Sequence, residues 1–218
     1  MAKMKVAVLI SGRGSNLQAL LDACAAEDFP AEIVAVISNK AGAQGLERAR
    51  KAGVAASFID HTLYEEREAY EKELDAKLKE TGAQLVALAG FMRILTAWFV
   101  ERWKDRLINI HPSLLPAFRG VHTHERALEQ GVRLHGATVH YVRPDMDDGP
   151  IIGQAAVPVL PGDDADTLAA RVLEAEHTLY PACLKLIAQG KARVTAERVK
   201  IDKDAAADGA ALLLNPHK

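Results

Sequence analysis

Short apolar runs alternate with stretches of helical spacing through the first half of the chain. KVAVLI (5–10), EIVAVIS (32–38), VAASFI (54–59), AQLVALAG (83–90) and LINI (107–110) are apolar nearly throughout. Such strands are covered on both faces, whereas a half-exposed strand alternates apolar with polar positions. Between them the spacing predicts helices from Ser15, over GLERARKAG, from Thr62 and near Thr96. Strands and helices in this alternation predict an α/β fold, with a Rossmann-like, open, mostly parallel sheet and helices on both faces.

The pattern then changes. HGATVHYV (135–142) and GPIIGQAAVPV (149–159) flank the polar turn RPDMDD, which predicts an antiparallel strand pair appended to the sheet. A long helix is expected from about Asp164 to Ala188. The final stretch, DKDAAADGAALLLNPHK, is poorly patterned and is expected to be a loose tail or a short surface helix. The expected organisation is one domain over residues 1–200 and a C-terminal tail over 201–218.

Composition narrows the function classes. The 218 residues are 49% hydrophobic and 26% charged, with a formal net charge of −2. That leaves no basic footprint for nucleic acid or an anionic membrane, and neither is expected as a partner. No apolar run reaches the roughly 18 residues of a membrane helix. MAKMKVAVLI runs straight into a glycine-rich turn and is not expected to be a signal peptide. Cys24 and Cys183 cannot build a disulfide framework, so a reducing cytoplasm is the expected compartment.

Candidate chemistry sits at a few places. In ISGRGSNLQAL (10–20) a glycine-rich turn joins strand to helix, and Ser15 with Gln18 fits a capping box. A helix start suits a phosphate. The same residues also suit a plain tight turn, and neither G-x-G-x-x-G nor G-K-[ST] is present. In NIHP, Asn109 and His111 share one strand face at a carboxyl end, where open α/β sheets bind ligands. Asn can donate to an oxyanion and His can carry a proton. The competing reading is a pair of hydrogen bonders that fix the next loop.

PDMDDGP (144–150) crowds three aspartates into a turn. One of them leaning on a histidine would stabilise the imidazolium, but ordinary turn chemistry explains them too. Glu176 lies on the apolar stripe of the long helix, where a carboxylate needs a partner or a cation. In AGFMRIL (89–95), Phe91, Met92, Ile94 and Leu95 surround Arg93, either as a wall for a flat ring or as a loop packing on itself. Arg67 sits at the edge of another apolar stripe. The H-x-H of VHTHER has no third ligand at metal spacing, and no metal is expected.

Taken in order, ISGRGSNLQAL, SNK, GLERA, LAGFMRIL, NIHPSLLP, HTHERALE, HGATVHYV, DGPII and EHTLYP resemble the folate-dependent formyltransferases. Within them the resemblance is closest to the phosphoribosylglycinamide formyltransferases of purine synthesis, and it extends to about residue 195. It implies transfer of a formyl group from 10-formyltetrahydrofolate to the amine of glycinamide ribonucleotide, by a monomer or homodimer acting on small molecules. It implies that Asn109, His111 and Asp147 are catalytic, and that Gly14, Ser15, Asn16 and Glu176 bind the ribonucleotide. Arg67, Met92, Arg93, Ile94, Leu95, Asn109, Val142 and Arg143 match the folate site. Two positions depart from the family pattern: Asp148 follows the candidate Asp, and Arg119 stands in the loop after NIHPSLLP. A hydrolase of the same formyl donor shares the Asn, His and Asp and is the alternative, although it does not carry the GSN loop. A tRNA-directed formyltransferase needs a basic second domain, and a non-catalytic binder would not need the three polar residues.

Overall fold

The computed structural model describes residues 2–202. The five apolar runs form β1 (Met4–Ile10), β2 (Ala31–Ser38), β3 (Ala55–Phe58), β4 (Leu85–Leu88) and β5 (Leu107–His111), all paired in parallel. Helices α1 (Ser15–Cys24), α2 (Gln44–Lys51), α3 (Arg67–Glu80) and α4 (Ala97–Arg102) separate them. α5 (Thr123–Glu129) follows, then the antiparallel pair β6 (Leu134–Tyr141) and β7 (Ile151–Pro158). α6 (Ala165–Ala188) and a small hairpin, β8 (Ala192–Thr195) with β9 (Arg198–Ile201), come last. Hydrogen bonding orders the main sheet β3-β2-β1-β4-β5-β6-β7. The expected mostly parallel sheet with an appended antiparallel pair is therefore present.

The chain clusters into two compact units. One comprises residues 2–109 with Val142–Pro144, the other Ile110–Tyr141 with residues 145–202. In the first unit β1 is buried from Val6 to Ile10, so both of its faces need cover. Ala7 and Leu9 pack in one cluster with Tyr70, Leu74 and Leu78 of α3 and Phe99 and Val100 of α4. Ile10 has the opposite parity and meets α2 at Gly45. In the second unit α6 covers both β6 and β7.

Several local expectations are corrected. A helix expected from Thr62 starts only at Arg67; His61–Leu63 form a single 3-10 turn. Asp60 accepts the Thr62 N–H at 2.9 Å and caps that turn. Tyr64 is then extended, packs on the core cluster and meets Tyr70 edge-on at 5.8 Å, so tertiary packing overrides helical spacing here. The capping box expected at Ser15 and Gln18 is absent. Gly14 is the N-cap at φ 72, and no side chain caps α1. Gln18 turns to Asp22 at 2.8 Å instead. A reciprocal box does form at α6, where Asp164 accepts the Thr167 N–H at 2.8 Å and Thr167 accepts the Asp164 N–H at 2.9 Å. α6 spans Ala165–Ala188 as one helix with Pro181 inside it, as the long helix expected there requires, although that proline supplies no N–H to the ladder. The expected tail beyond Asp202 lies outside the described residues.

Candidate active site

β5 ends on His111 because Pro112 follows and cannot extend the ladder. The imidazole is buried. Its Nε2 lies 3.0 Å from the Phe118 carbonyl, which can only accept, so Nε2 donates there. Its Nδ1 lies 3.5 Å from Oδ2 of Asp147. Asp147 adopts a left-handed backbone, φ 53, which aspartate tolerates better than most residues. The Gly120 N–H donates to its Oδ2 at 2.8 Å, and its Oδ1 lies 3.9 Å from Nε2 of His140. Burial pushes the His140 imidazole below its ordinary range, against the opposing pull of Asp147 and of the Tyr141 carbonyl. Asp148 is turned elsewhere and pairs with Arg119. Glu176 is buried on α6, on the face that also carries Val172, Leu179 and Tyr180.

The other candidate residues belong to the first unit. Asn109 is half-buried on β5, beside Leu88 of β4. Gly14, Ser15 and Asn16 form the N-cap and first residues of α1. Met92 and Ile94 are 73% and 60% exposed, unusual for large apolar side chains, whereas Leu95 packs against the core. Arg93 lies 5.5 Å from the Tyr70 ring centre. The Arg93 Nε and the Tyr70 hydroxyl are buried with no hydrogen-bond partner among the described residues. Arg67 opens α3 and is exposed. Val142 packs on the core, and Arg143 bonds Asp105 at 2.7 Å.

A formyl transferase family model matches residues 4–184. The chain belongs to the formyl transferase family. It is 48% identical over 191 residues to the phosphoribosylglycinamide formyltransferase of Escherichia coli, covering 88% of this chain and 90% of that protein. It is 51% identical over 188 residues to the human trifunctional purine biosynthetic protein adenosine-3, covering 86% of this chain but 19% of that protein. The chain spans between 14% and 19% of the length of such trifunctional relatives. Among solved structures, glycinamide ribonucleotide transformylase 1 from Symbiobacterium toebii superposes with a TM-score of 0.89 at 46% identity, covering 91% of this chain and 94% of that one.

This family member holds its candidate residues with others that spacing did not single out. The Ser11 hydroxyl donates to Asn39 at 2.5 Å and accepts the Met92 N–H at 2.8 Å, so it anchors the segment with the exposed Met92 and Ile94. Buried Glu71 accepts the Thr96 N–H at 2.8 Å and the Thr96 hydroxyl, which fixes the far end of that segment. Burial pushes the Glu71 carboxyl up, while Thr96, Arg67 and Arg93 pull it back. The polar residue within the apolar stripe of α3 was the available signal for Glu71. His140 carried none beyond its place in a strand.

Proposed function

We propose that the chain transfers the formyl group of 10-formyltetrahydrofolate to the primary amine of 5'-phosphoribosylglycinamide, giving formyl-glycinamide ribonucleotide and tetrahydrofolate in purine biosynthesis. The observation that carries this reading is the buried His111–Asp147 pair at the end of β5, in a chain that matches the E. coli phosphoribosylglycinamide formyltransferase over 90% of its length.

The donor supplies an electrophilic formyl carbon on an aromatic amide nitrogen. The exposed Met92 and Ile94, with Leu95, suit its flat ring, and the buried unpartnered Nε of Arg93 suits an acceptor on it. Arg67, Val142 and Arg143 complete the proposed folate contacts. Gly14, Ser15 and Asn16 hold the ribonucleotide phosphate on the helix start, and Glu176 receives the glycinamide end. Binding energy from the remote phosphate positions the attacking amine.

Attack by the amine places negative charge on the formyl oxygen. Asn109 donates a hydrogen bond to that oxygen, a contribution of roughly 10²–10³ in rate. His111, with Asp147 facing its Nδ1, adds positive charge beside it. The proton lost by the attacking nitrogen is matched by one delivered from His111 to the leaving nitrogen. The amine is already nucleophilic and the oxyanion already has its donors, so the proposed steps call for no metal. No helix among the described residues is long and apolar enough to cross a membrane. We place the enzyme in the cytoplasm, acting on small molecules as a monomer or homodimer.

The test is release of tetrahydrofolate from 10-formyltetrahydrofolate with and without glycinamide ribonucleotide. Amine-dependent release is expected. Equal release without the amine would overturn the proposal in favour of a hydrolase, and no release would leave a binder.

A further inference from the structure

Helix α2 begins against the loop that joins β1 to α1. The Gly45 N–H donates to the Gly12 carbonyl at 3.1 Å. Arg48 Nε donates to the Arg13 carbonyl at 2.9 Å, and its Nη1 donates to the Gln18 side-chain oxygen at 3.1 Å. The two backbones nearly touch. A Cβ added to Gly14 would fall 2.8 Å from the Gly45 Cα, and one added to Gly45 would fall 2.4 Å from Ile10 Cδ1. Non-bonded carbons prefer about 3.5–4.0 Å, so neither position admits a side chain without movement.

This contact dictates where the loop's N–H groups point. In a trans peptide the carbonyl of one residue and the N–H of the next face opposite ways. α2 takes the carbonyls of Gly12 and Arg13. The N–H groups of Arg13 and Gly14 are therefore turned away from α2. They join the N–H groups that a helix start leaves without intrahelical partners. Oriented N–H groups of this kind make an anion-binding surface. Arg48 fixes that surface from the far side, through two uncharged oxygens.

We propose that Arg48 is a positioning residue for the substrate phosphate. It sets the peptide plane that joins Arg13 to Gly14, beside the Gly45 N–H that sets the plane before it, without itself touching the ligand. The proposal rests on the reading that Gly14, Ser15 and Asn16 hold the phosphate.

Steady-state kinetics on the full chain test it. Arg48→Ala should raise KM for glycinamide ribonucleotide about tenfold, as expected for a lost hydrogen bond from a charged donor. kcat and the KM for 10-formyltetrahydrofolate should stay within about twofold, the signature of lost uniform binding. Inhibition by inorganic phosphate should weaken in parallel. Arg48→Lys, which keeps the charge but has no planar fork, should fall between. If Arg48→Ala does not fold, Arg48→Lys is read by the same KM. Ser15→Asp, which sets a carboxylate against the phosphate, tests the underlying reading. Should Ser15→Asp raise that KM while the Arg48 variants leave it unchanged, the proposal fails and the phosphate loop stands. If Ser15→Asp also leaves it unchanged, the phosphate-loop reading fails, and the proposal fails with it.

Discussion

Arg119 and Asp148 pair with each other, so the carboxylate next to Asp147 is held by a guanidinium from the loop after NIHPSLLP. Both side chains are nearly half exposed, and such pairs are worth about 0–1 kcal/mol. The pairing matters for what it removes. With Asp148 held by Arg119, Asp147 faces His111 and His140.

The two aspartates should therefore respond very differently to neutralisation. Asp147→Asn leaves His111 without its anionic neighbour and should lower kcat by roughly 10²-fold or more, within the range of general acid–base contributions. Asp148→Asn should keep kcat within about twofold. Parallel kcat measurements at pH 7.5 decide it, and comparable losses in the two variants would sink the assignment of Asp147.

Asn109 lies two residues before His111 on the same strand. In the proposed mechanism, Asn109→Ala removes a donor to charge that develops only during transfer. kcat should drop about 10²–10³-fold while the KM for 10-formyltetrahydrofolate changes little. A variant with unchanged circular dichroism and near-normal kcat would show that Asn109 only fixes the following loop.

The parts legible in the sequence were those where one local signal decides the outcome. β1 is read easily because Val6–Ile10 are all apolar, and α6 because its apolar stripe runs from Leu168 to Ile187. The start of α3 was misread because Tyr64 gains more from core packing than from another helical turn. The β8–β9 hairpin was missed because its turn residues, Ala196 and Glu197, take positive φ without the usual Asn or Gly. In the candidate site, the strand end at His111 was readable from alternation. The choice of Asp147 among the turn aspartates came only from the family resemblance, because turn propensity treats them alike; in the structure Asp147 faces His111 while Asp148 pairs with Arg119, 29 residues away.

Glu71 offers a test of how the segment bearing Met92 and Ile94 is held. Its carboxylate accepts both the N–H and the hydroxyl of Thr96, and Thr96 caps α4. Glu71→Ala leaves the Thr96 N–H without that acceptor and should destabilise the fold by about 1–3 kcal/mol. It should also raise the KM for 10-formyltetrahydrofolate several-fold, while the KM for glycinamide ribonucleotide stays near normal. Denaturant titration and paired KM measurements check this. Equal changes in both KM values would argue that Glu71 supports the fold in general and not that segment.

The buried histidines of the second unit predict a loss of stability in mild acid. His135 lies edge-on to Phe118 at 5.6 Å and to His124 at 5.3 Å, and burial pushes its imidazole down to about 4. Burial also lowers His124 and His140. In the unfolded chain each titrates near 6.5. Below that value the unfolded state binds more protons than the folded state, so stability falls as the pH drops. For His135 the loss runs from about 6.5 down to about 4 and is roughly 3 kcal/mol in full. Glu71 acts with the opposite sign, since its raised carboxyl favours the folded state at low pH and that contribution fades as the pH rises. Comparing the native chain with His135→Gln isolates the histidine. The native chain should lose more stability than the variant between pH 7.5 and 5 in denaturant titrations. Superimposable pH dependences would mean that His135 accepts its proton in the folded state as easily as in the unfolded one.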